Sequence, residues 1–251
     1  MLKIALIQMV QSEKTGRPEI GLGIAFIKAF LLQHEPNIDV DLFINDEKLE
    51  QFNPLRYDMI GISSVSFCFD EAKEIAKAIK EANADIPVLI GGAHITGLPQ
   101  CIECDYFDIG MIGEGERTFL ELARLYKRHK RFTPDILEDI NGICFAKEGK
   151  TCFTGHREYI GSLDSIPHFD KNFLKETGAL PYLIATRDCP FNCKYCNSNT
   201  AWQRKVRFHS ADYIARDIMQ IKEAFPDDDR VIFKDDNFTA NKKMLEELRE
   251  K

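Results

Sequence analysis

Leu2-Lys3-Ile4-Ala5-Leu6-Ile7-Gln8-Met9-Val10 is an almost unbroken apolar run, the pattern of a strand buried on both faces. Working outward, Glu19 to His34 carries Ile20, Ile24, Ile27, Phe30 and Leu31 at helical spacing. Val40 to Ile44 gives a second strand and Tyr57 to Phe67 a third, followed by the amphipathic stretch Asp70 to Asn83. Pro87 to Ile90 predicts a strand ending in Gly91-Gly92. A short helix is expected near Gly97 to Cys104, then a strand over Phe107 to Ile112 and a helix over Glu114 to His129. Strands alternating with helices build a parallel sheet covered on both sides. Residues 1–130 are therefore expected to form an α/β, Rossmann-like (flavodoxin-like) domain whose ligand sits at the carboxyl ends of the strands.

Three strand ends carry the small or turn-forming residues such a crevice needs: Ser63-Ser64 after Ile60-Gly61-Ile62, Gly91-Gly92-Ala93-His94, and Gly113-Glu114-Gly115-Glu116. Any one of them is explained as a strand-to-helix turn. Three at one edge point to a ligand. The first strand is followed by Gln8-Met9-Val10-Gln11-Ser12, without the GxGxxG of a dinucleotide site.

Of 251 residues, 44% are hydrophobic, 29% charged and 10% aromatic, enough apolar material for a core, which sets aside disorder, collagen and coiled coil. The apolar runs, such as Ile4 to Val10 and Met59 to Val65, fall well short of the roughly 18 residues that span a bilayer. Met1 runs straight into a strand with no basic segment or cleavage site, so a cytoplasmic protein with no membrane span is expected. The net charge of −7 lies mostly before residue 131, and no basic face suggests a nucleic-acid partner. The one basic cluster, Arg204, Lys205 and Arg207 beside Trp202, reads as a solvated loop or small-anion contact.

Residues 131–178 read as a connector. Asn141 to Ala146 and Thr151 to Phe153 flank a hairpin turn at Glu148-Gly149, and Ser162 to Asp170 reads as an extended linker. From residue 179 a new pattern begins: a strand over Pro181 to Thr186, a cysteine-bearing loop, a helix over His209 to Phe225, a strand over Arg230 to Lys234 ending in Asp235-Asp236-Asn237-Phe238, and a helix over Asn241 to Glu250. Two such units fall short of a complete barrel, so residues 179–251 are expected to be the amino-terminal part of one.

The chain has eight cysteines, which in a cytosolic protein serve as metal ligands, nucleophiles or core filler rather than disulfides. Cys144 and Cys152 alternate with apolar residues in the hairpin and are assigned to packing. Cys101 and Cys104 form a CxxC that cannot complete a metal site by itself. Cys189, Cys193 and Cys196 form a tight CxxxCxxC on one loop, able to fill three corners of a zinc tetrahedron or to bind three irons of a cubane. The choice turns on a fourth ligand, and none is evident; the closest imidazole in sequence, His209, follows at the start of a helix.

Ala185-Thr186-Arg187-Asp188-Cys189-Pro190-Phe191-Asn192-Cys193-Lys194-Tyr195-Cys196 resembles the signature loop of radical S-adenosylmethionine (radical SAM) enzymes. The order of the domains resembles their cobalamin-binding subclass. The resemblance implies a [4Fe-4S] cluster on Cys189, Cys193 and Cys196, its fourth iron left for S-adenosylmethionine, which the reduced cluster cleaves to a 5'-deoxyadenosyl radical. It implies contacts to S-adenosylmethionine from Tyr195, Asp235 and Asp236. It implies cobalamin contacts from Ser63, Ser64, Gly91, Gly92, His94, Gly113 and Glu114, although His94 could equally cap a helix. Arg207 and Ser210 also fit the subclass.

Three departures stand out. The stretch from Gln8 to Gly16 holds no histidine to ligate cobalt from below, Asp188 stands where relatives often have glycine, and the later barrel strands are absent. The resemblance implies cobalamin-dependent methyl transfer to an unreactive centre, with a radical oxidoreductase or cyclase, or a non-catalytic cobalamin- or metal-binding module, as alternatives. The expected partners are a small-molecule or peptide substrate and a reductant such as flavodoxin or ferredoxin.

Overall fold

The computed structural model describes residues 1–10, 18, 20–45, 49, 52–103, 106–196 and 206–251. The chain divides into two compact units, with the break between Tyr159 and Ile160.

In the first unit β1 (Leu2–Gln8), β2 (Ile38–Ile44), β3 (Met59–Ser63), β4 (Val88–Gly91) and β5 (Ile109–Met111) run parallel. With β6 (Ile143–Lys147) and β7 (Lys150–Phe153) they form a seven-stranded sheet in the order β2-β1-β3-β4-β5-β6-β7. The helices are α1 (Gly23–His34), α2 (Phe69–Ala82), α3 (Ala93–Gly97), α4 (Gly115–His129) and α5 (Pro134–Leu137). Successive side chains of β1 point to opposite faces, and both faces are buried. Ala5 and Ile7 join Ile60, Ile62, Val88 and Ile90 against Phe69, Ala72, Ala76 and Ile79 of α2. On the other face Phe119 of α4 fills the space over Gly61, where a Cβ would stand 2.8 Å from both Leu6 and the Phe119 ring. Helices α1 and α4 meet closely at Gly115, where a Cβ would approach Ile27 to 2.7 Å.

Several expectations shift. The hairpin placed in a connector is part of the sheet: β6 pairs antiparallel with β5, Gly110 opposite Cys144. Its residues Ile143, Cys144 and Phe145 are buried because they cover what would otherwise be an open edge. Gly110 leaves room for this, since a Cβ there would meet the Cys144 sulfur at 2.5 Å. The turn falls at Glu148 and Gly149, with φ of 53° and 74°, the left-handed pair of a tight hairpin. The short helix lies at Ala93–Gly97 rather than near Gly97 to Cys104, because it begins directly after Gly92; a 3₁₀ turn over Pro99–Glu103 follows. Cys104 lies outside the described residues.

The second unit contains α6 (Asn172–Glu176), β8 (Tyr182–Leu183), β9 (Thr186–Arg187), β10 (Arg207–Phe208), α7 (Ala211–Ala224), β11 (Ile232–Phe233) and α8 (Lys242–Arg249). β8 pairs parallel with β11, and β9 antiparallel with β10. Leu183, Ala185, Ile214, Ile221 and Met244 form the core. Ser210 and Asn241 cap α7 and α8, accepting hydrogen bonds from the backbone of Tyr213 and Met244.

The single strand expected over Pro181 to Thr186 is two short pieces. The ladder to β11 ends where the Lys234 N–H donates to the Leu183 carbonyl at 2.9 Å, and a side chain, Asp235, takes over from there. The linker before β8 is tied to α7 by buried charge. Asp217 is 1% exposed and bonds both Lys171 and His168 at 2.7 Å. His168, Tyr213 and His209 stack in sequence, with ring centroids 3.9 and 3.8 Å apart. No described helix is long and apolar enough to cross a membrane.

Candidate functional site

The carboxyl edge of the first sheet gathers most of the residues expected to meet cobalamin. Ser63 ends β3 opposite Gly91, the last residue of β4. The Ser64 N–H donates to the Gly91 carbonyl at 3.0 Å, and the His94 N–H to the Ser64 carbonyl at 3.4 Å. Gly92 has φ 98°, and a Cβ there would sit 2.4 Å from the Ser64 carbonyl oxygen, so only glycine lets these two loops lie together. The third turn is tied in by Thr96, whose hydroxyl accepts the Gly113 N–H at 3.1 Å. Sequence reasoning passed over Thr96; its place two residues after His94 is signal only once the short helix is set after Gly92. Glu114 is buried immediately before α4.

The His94 ring stacks on Phe69 at 3.9 Å, and its Nδ1 lies 2.9 Å from the Ser66 hydroxyl. Its Nε2 is buried with no hydrogen-bond partner among the described residues. Burial lowers the pKa of this imidazole, which favours its neutral form. Val65 and Phe67, 45% and 76% exposed, stand on the loop after β3. Small turns, exposed apolar side chains and a buried neutral imidazole suit the flat, largely apolar face of a corrin ring.

The second site is the cysteine loop. Asp235, just past β11, accepts hydrogen bonds at Oδ1 from the Ala185 N–H at 2.9 Å and from the Thr186 N–H. Burial raises its pKa, against the pull of those donors, and Asp236 adds to the rise. Two residues beyond Thr186, Asp188 takes φ 75°, the left-handed conformation glycine adopts without penalty. This accounts for an aspartate in a position where glycine is expected, because its carboxylate is used. Arg207 reaches it at 3.3 Å and also donates to the Ile160 carbonyl at 2.9 Å.

Cys189, Cys193 and Cys196 follow as free thiols, Cys193 exposed and the other two half-buried. The Cys196 N–H donates to the Cys193 carbonyl at 3.1 Å, turning the chain between them. Tyr195 is 92% exposed. Among the described residues no three His, Cys, Asp or Glu side chains stand close enough together to hold a metal ion; the three thiols share a loop without converging. As a donor set they suit an iron-sulfur centre, being soft ligands on one short segment. Trp202, Arg204 and Lys205 lie outside the described residues. His209 is occupied elsewhere, against Asp164 at 3.2 Å. Cys144 is a core residue whose thiol burial pushes up to about 12.

Residues 13–123 match the B12 binding domain family. The chain is 28% identical, over 91% of its own length and 50% of the other's, to an uncharacterized methyltransferase of Pyrococcus horikoshii. The chain therefore carries a B12-binding type of domain over residues 13–123. It is also 29% identical to the anaerobic magnesium-protoporphyrin IX monomethyl ester cyclase of Rubrivivax gelatinosus, over 66% of this chain and 32% of that one. Its fold matches the cobalamin-dependent S-adenosylmethionine radical enzyme OxsB, solved with aqua-cobalamin and S-adenosylmethionine bound. There the TM-score is 0.82 at 18% identity, covering 100% of this chain and 37% of that one. The chain thus spans about half the length of the first curated relative and less of the others.

Proposed function

We propose that this chain is the cobalamin- and cluster-binding part of a radical SAM enzyme that transfers a methyl group to an unreactive centre of a small-molecule or peptide substrate. The observation that carries the reading is the loop of three free thiols, Cys189, Cys193 and Cys196, beyond a strand paired in parallel with β11, in a chain that begins with a B12-type sheet. Cys189, Cys193 and Cys196 would hold a [4Fe-4S] cluster, and the edge formed by Ser63, Ser64, Gly91, Gly92, His94, Gly113 and Glu114 would hold cobalamin. The bound groups would supply a low-potential electron for S-adenosylmethionine and a carrier for the methyl group.

The chain's own residues have simpler tasks. Asp188 and Arg207 set the start of the loop. Asp236, exposed beside Asp235, offers a carboxylate to an ammonium or hydroxyl group of S-adenosylmethionine, and Tyr195 projects from the loop for contact with it. The Gly92 and Gly113 turns keep backbone, rather than side chains, at the sheet edge. A protein reductant such as flavodoxin or ferredoxin would supply the electron. Likeness to the Rubrivivax gelatinosus cyclase favours a second reading, in which the same groups serve a radical reaction without methyl transfer.

The test is anaerobic reconstitution with iron and sulfide, followed by metal analysis, electron paramagnetic resonance of the reduced protein, and titration with aqua-cobalamin. Four irons per chain, lost in Cys189→Ala, Cys193→Ala and Cys196→Ala, together with bound cobalamin, are expected. Zinc in place of iron at these cysteines would overturn the reading.

A further inference from the structure

We infer that Asp235 is a positioning residue that clamps the backbone leading into the cysteine loop. This rests on the iron-sulfur reading above and adds a residue that works through the polypeptide rather than by touching a ligand.

The ladder between β8 and β11 closes with Ile232 N–H to Pro181 carbonyl and Lys234 N–H to Leu183 carbonyl, both at 2.9 Å. Beyond it the Ala185 and Thr186 amides turn to a side chain instead of to β11. Asp235 takes over from the ladder, with Oδ1 accepting from both. One oxygen held by two consecutive amides fixes the peptide between them, since turning either residue away breaks a charge-assisted hydrogen bond. Its other oxygen, Oδ2, is buried with no hydrogen-bond partner among the described residues.

What the clamp holds is the start of the cysteine loop. The Ala185 carbonyl accepts the His209 N–H at 2.9 Å. Thr186 opens β9, paired with Phe208, and the next pair sets Arg187 opposite Arg207. Arg207 in turn binds Asp188, the residue before Cys189. Asp235 is thus the first link in a short series of contacts that ends at Asp188, the residue before the first thiol.

The test compares Asp235→Ala and Asp235→Asn in the full chain by two measurements. The first, hydrogen exchange at the Ala185 and Thr186 amides, needs no iron. Removing a charged acceptor is expected to speed exchange there about tenfold or more in Asp235→Ala, while Asp235→Asn, which keeps an acceptor oxygen and nearly the same shape, retains protection. The second is the electron paramagnetic resonance spectrum of the reduced, reconstituted protein. Asp235→Ala is expected to load less iron or give a shifted signal, and Asp235→Asn to restore the wild-type spectrum.

Unchanged exchange in Asp235→Ala overturns the clamp. So does an Asp235→Asn protein that keeps its amides protected yet loses the S-adenosylmethionine-dependent change of the spectrum, because the charge would then act on the ligand directly. If the wild-type chain takes up no iron, the iron-sulfur reading fails on its own, and the exchange measurement still decides whether Asp235 holds the loop.

Discussion

Asp188 and Arg207 form a buried ion pair, their side chains 2% and 10% exposed, that holds a left-handed residue immediately ahead of Cys189. The pair joins two requirements. The backbone there has to turn in a way an L-residue resists, and the residue that does so carries a charge that needs a partner out of water.

Removing Arg207 is predicted to be worse than removing Asp188. Arg207→Ala leaves a buried carboxylate without its guanidinium and should lower stability by about 3 kcal/mol. Asp188→Gly removes the charge and relieves the backbone, so it should be more stable than Asp188→Ala by about 1 kcal/mol. Urea denaturation of the three variants checks the order; an Asp188→Gly protein no better than Asp188→Ala would show that the φ of this residue is not strained.

Stability should fall in mild acid because of His209. Burial lowers its pKa from 6.5 to about 4, against the pull of Asp164. An unfolded chain takes up this proton near 6.5 and the folded one near 4, so between those values unfolding binds a proton and stability rises with pH. The loss on acidification from pH 6.5 to 4 is expected to be about 3 kcal/mol, with no further contribution from this group below. His209→Gln should flatten that part of a pH series of urea titrations.

Gly92 and Gly113 both have positive φ, yet substitution is predicted to affect them unequally. A Cβ at Gly92 would collide with the Ser64 carbonyl, whereas at Gly113 the nearest atom is a Tyr159 ring carbon at 3.6 Å. Gly113→Ala should cost about 1 kcal/mol, the conformational term alone, and Gly92→Ala at least twice that, with weakened cobalamin binding. Melting temperatures and cobalamin titration measure both effects.

The Lys171 and Asp217 pair is buried, with Lys171 only 3% exposed. Burial lowers the Lys171 pKa despite its carboxylate partner, and the Asp217 pKa is held down, against burial, by His168 and Lys171. Lys171→Met should lose about 3 kcal/mol by leaving the buried carboxylate with His168 in place of two partners, and adding Asp217→Leu should recover much of it. A double-mutant cycle by urea denaturation gives the coupling; additive losses would contradict it.

Strands buried on both faces are legible because they read as continuous apolar runs, as Leu2 to Val10 and Met59 to Ile62 do, whereas β2, interrupted by Asp39 and Asp41, gives a weaker signal. The turn at Glu148-Gly149 was legible for the same local reason. What escaped was nonlocal. Nothing around Ile143 to Phe145 says that they pair with β5, so the hairpin read as a connector. Pro181 to Thr186 read as one strand because the acceptor that interrupts it, Asp235, is distant in sequence.

The cysteine spacing was plain in the sequence, yet convergence of the three thiols is a matter of loop conformation. In the structure they share a loop without meeting at a point. The Asp235 hydrogen bonds and the Asp188–Arg207 ion pair around that loop join residues distant in sequence, so spacing alone does not show them.

The hairpin of β6 and β7 has a consequence of parity. Five strands point one way, so a single reversed strand would have left the polypeptide at the opposite margin from the Gly92 and Gly113 turns. Two reversals cancel. The chain emerges from Phe153 on the side where it started, and the Gly142 N–H donating to the Gly155 carbonyl at 2.9 Å moors it there. Gly155 therefore lies at the same rim as those turns.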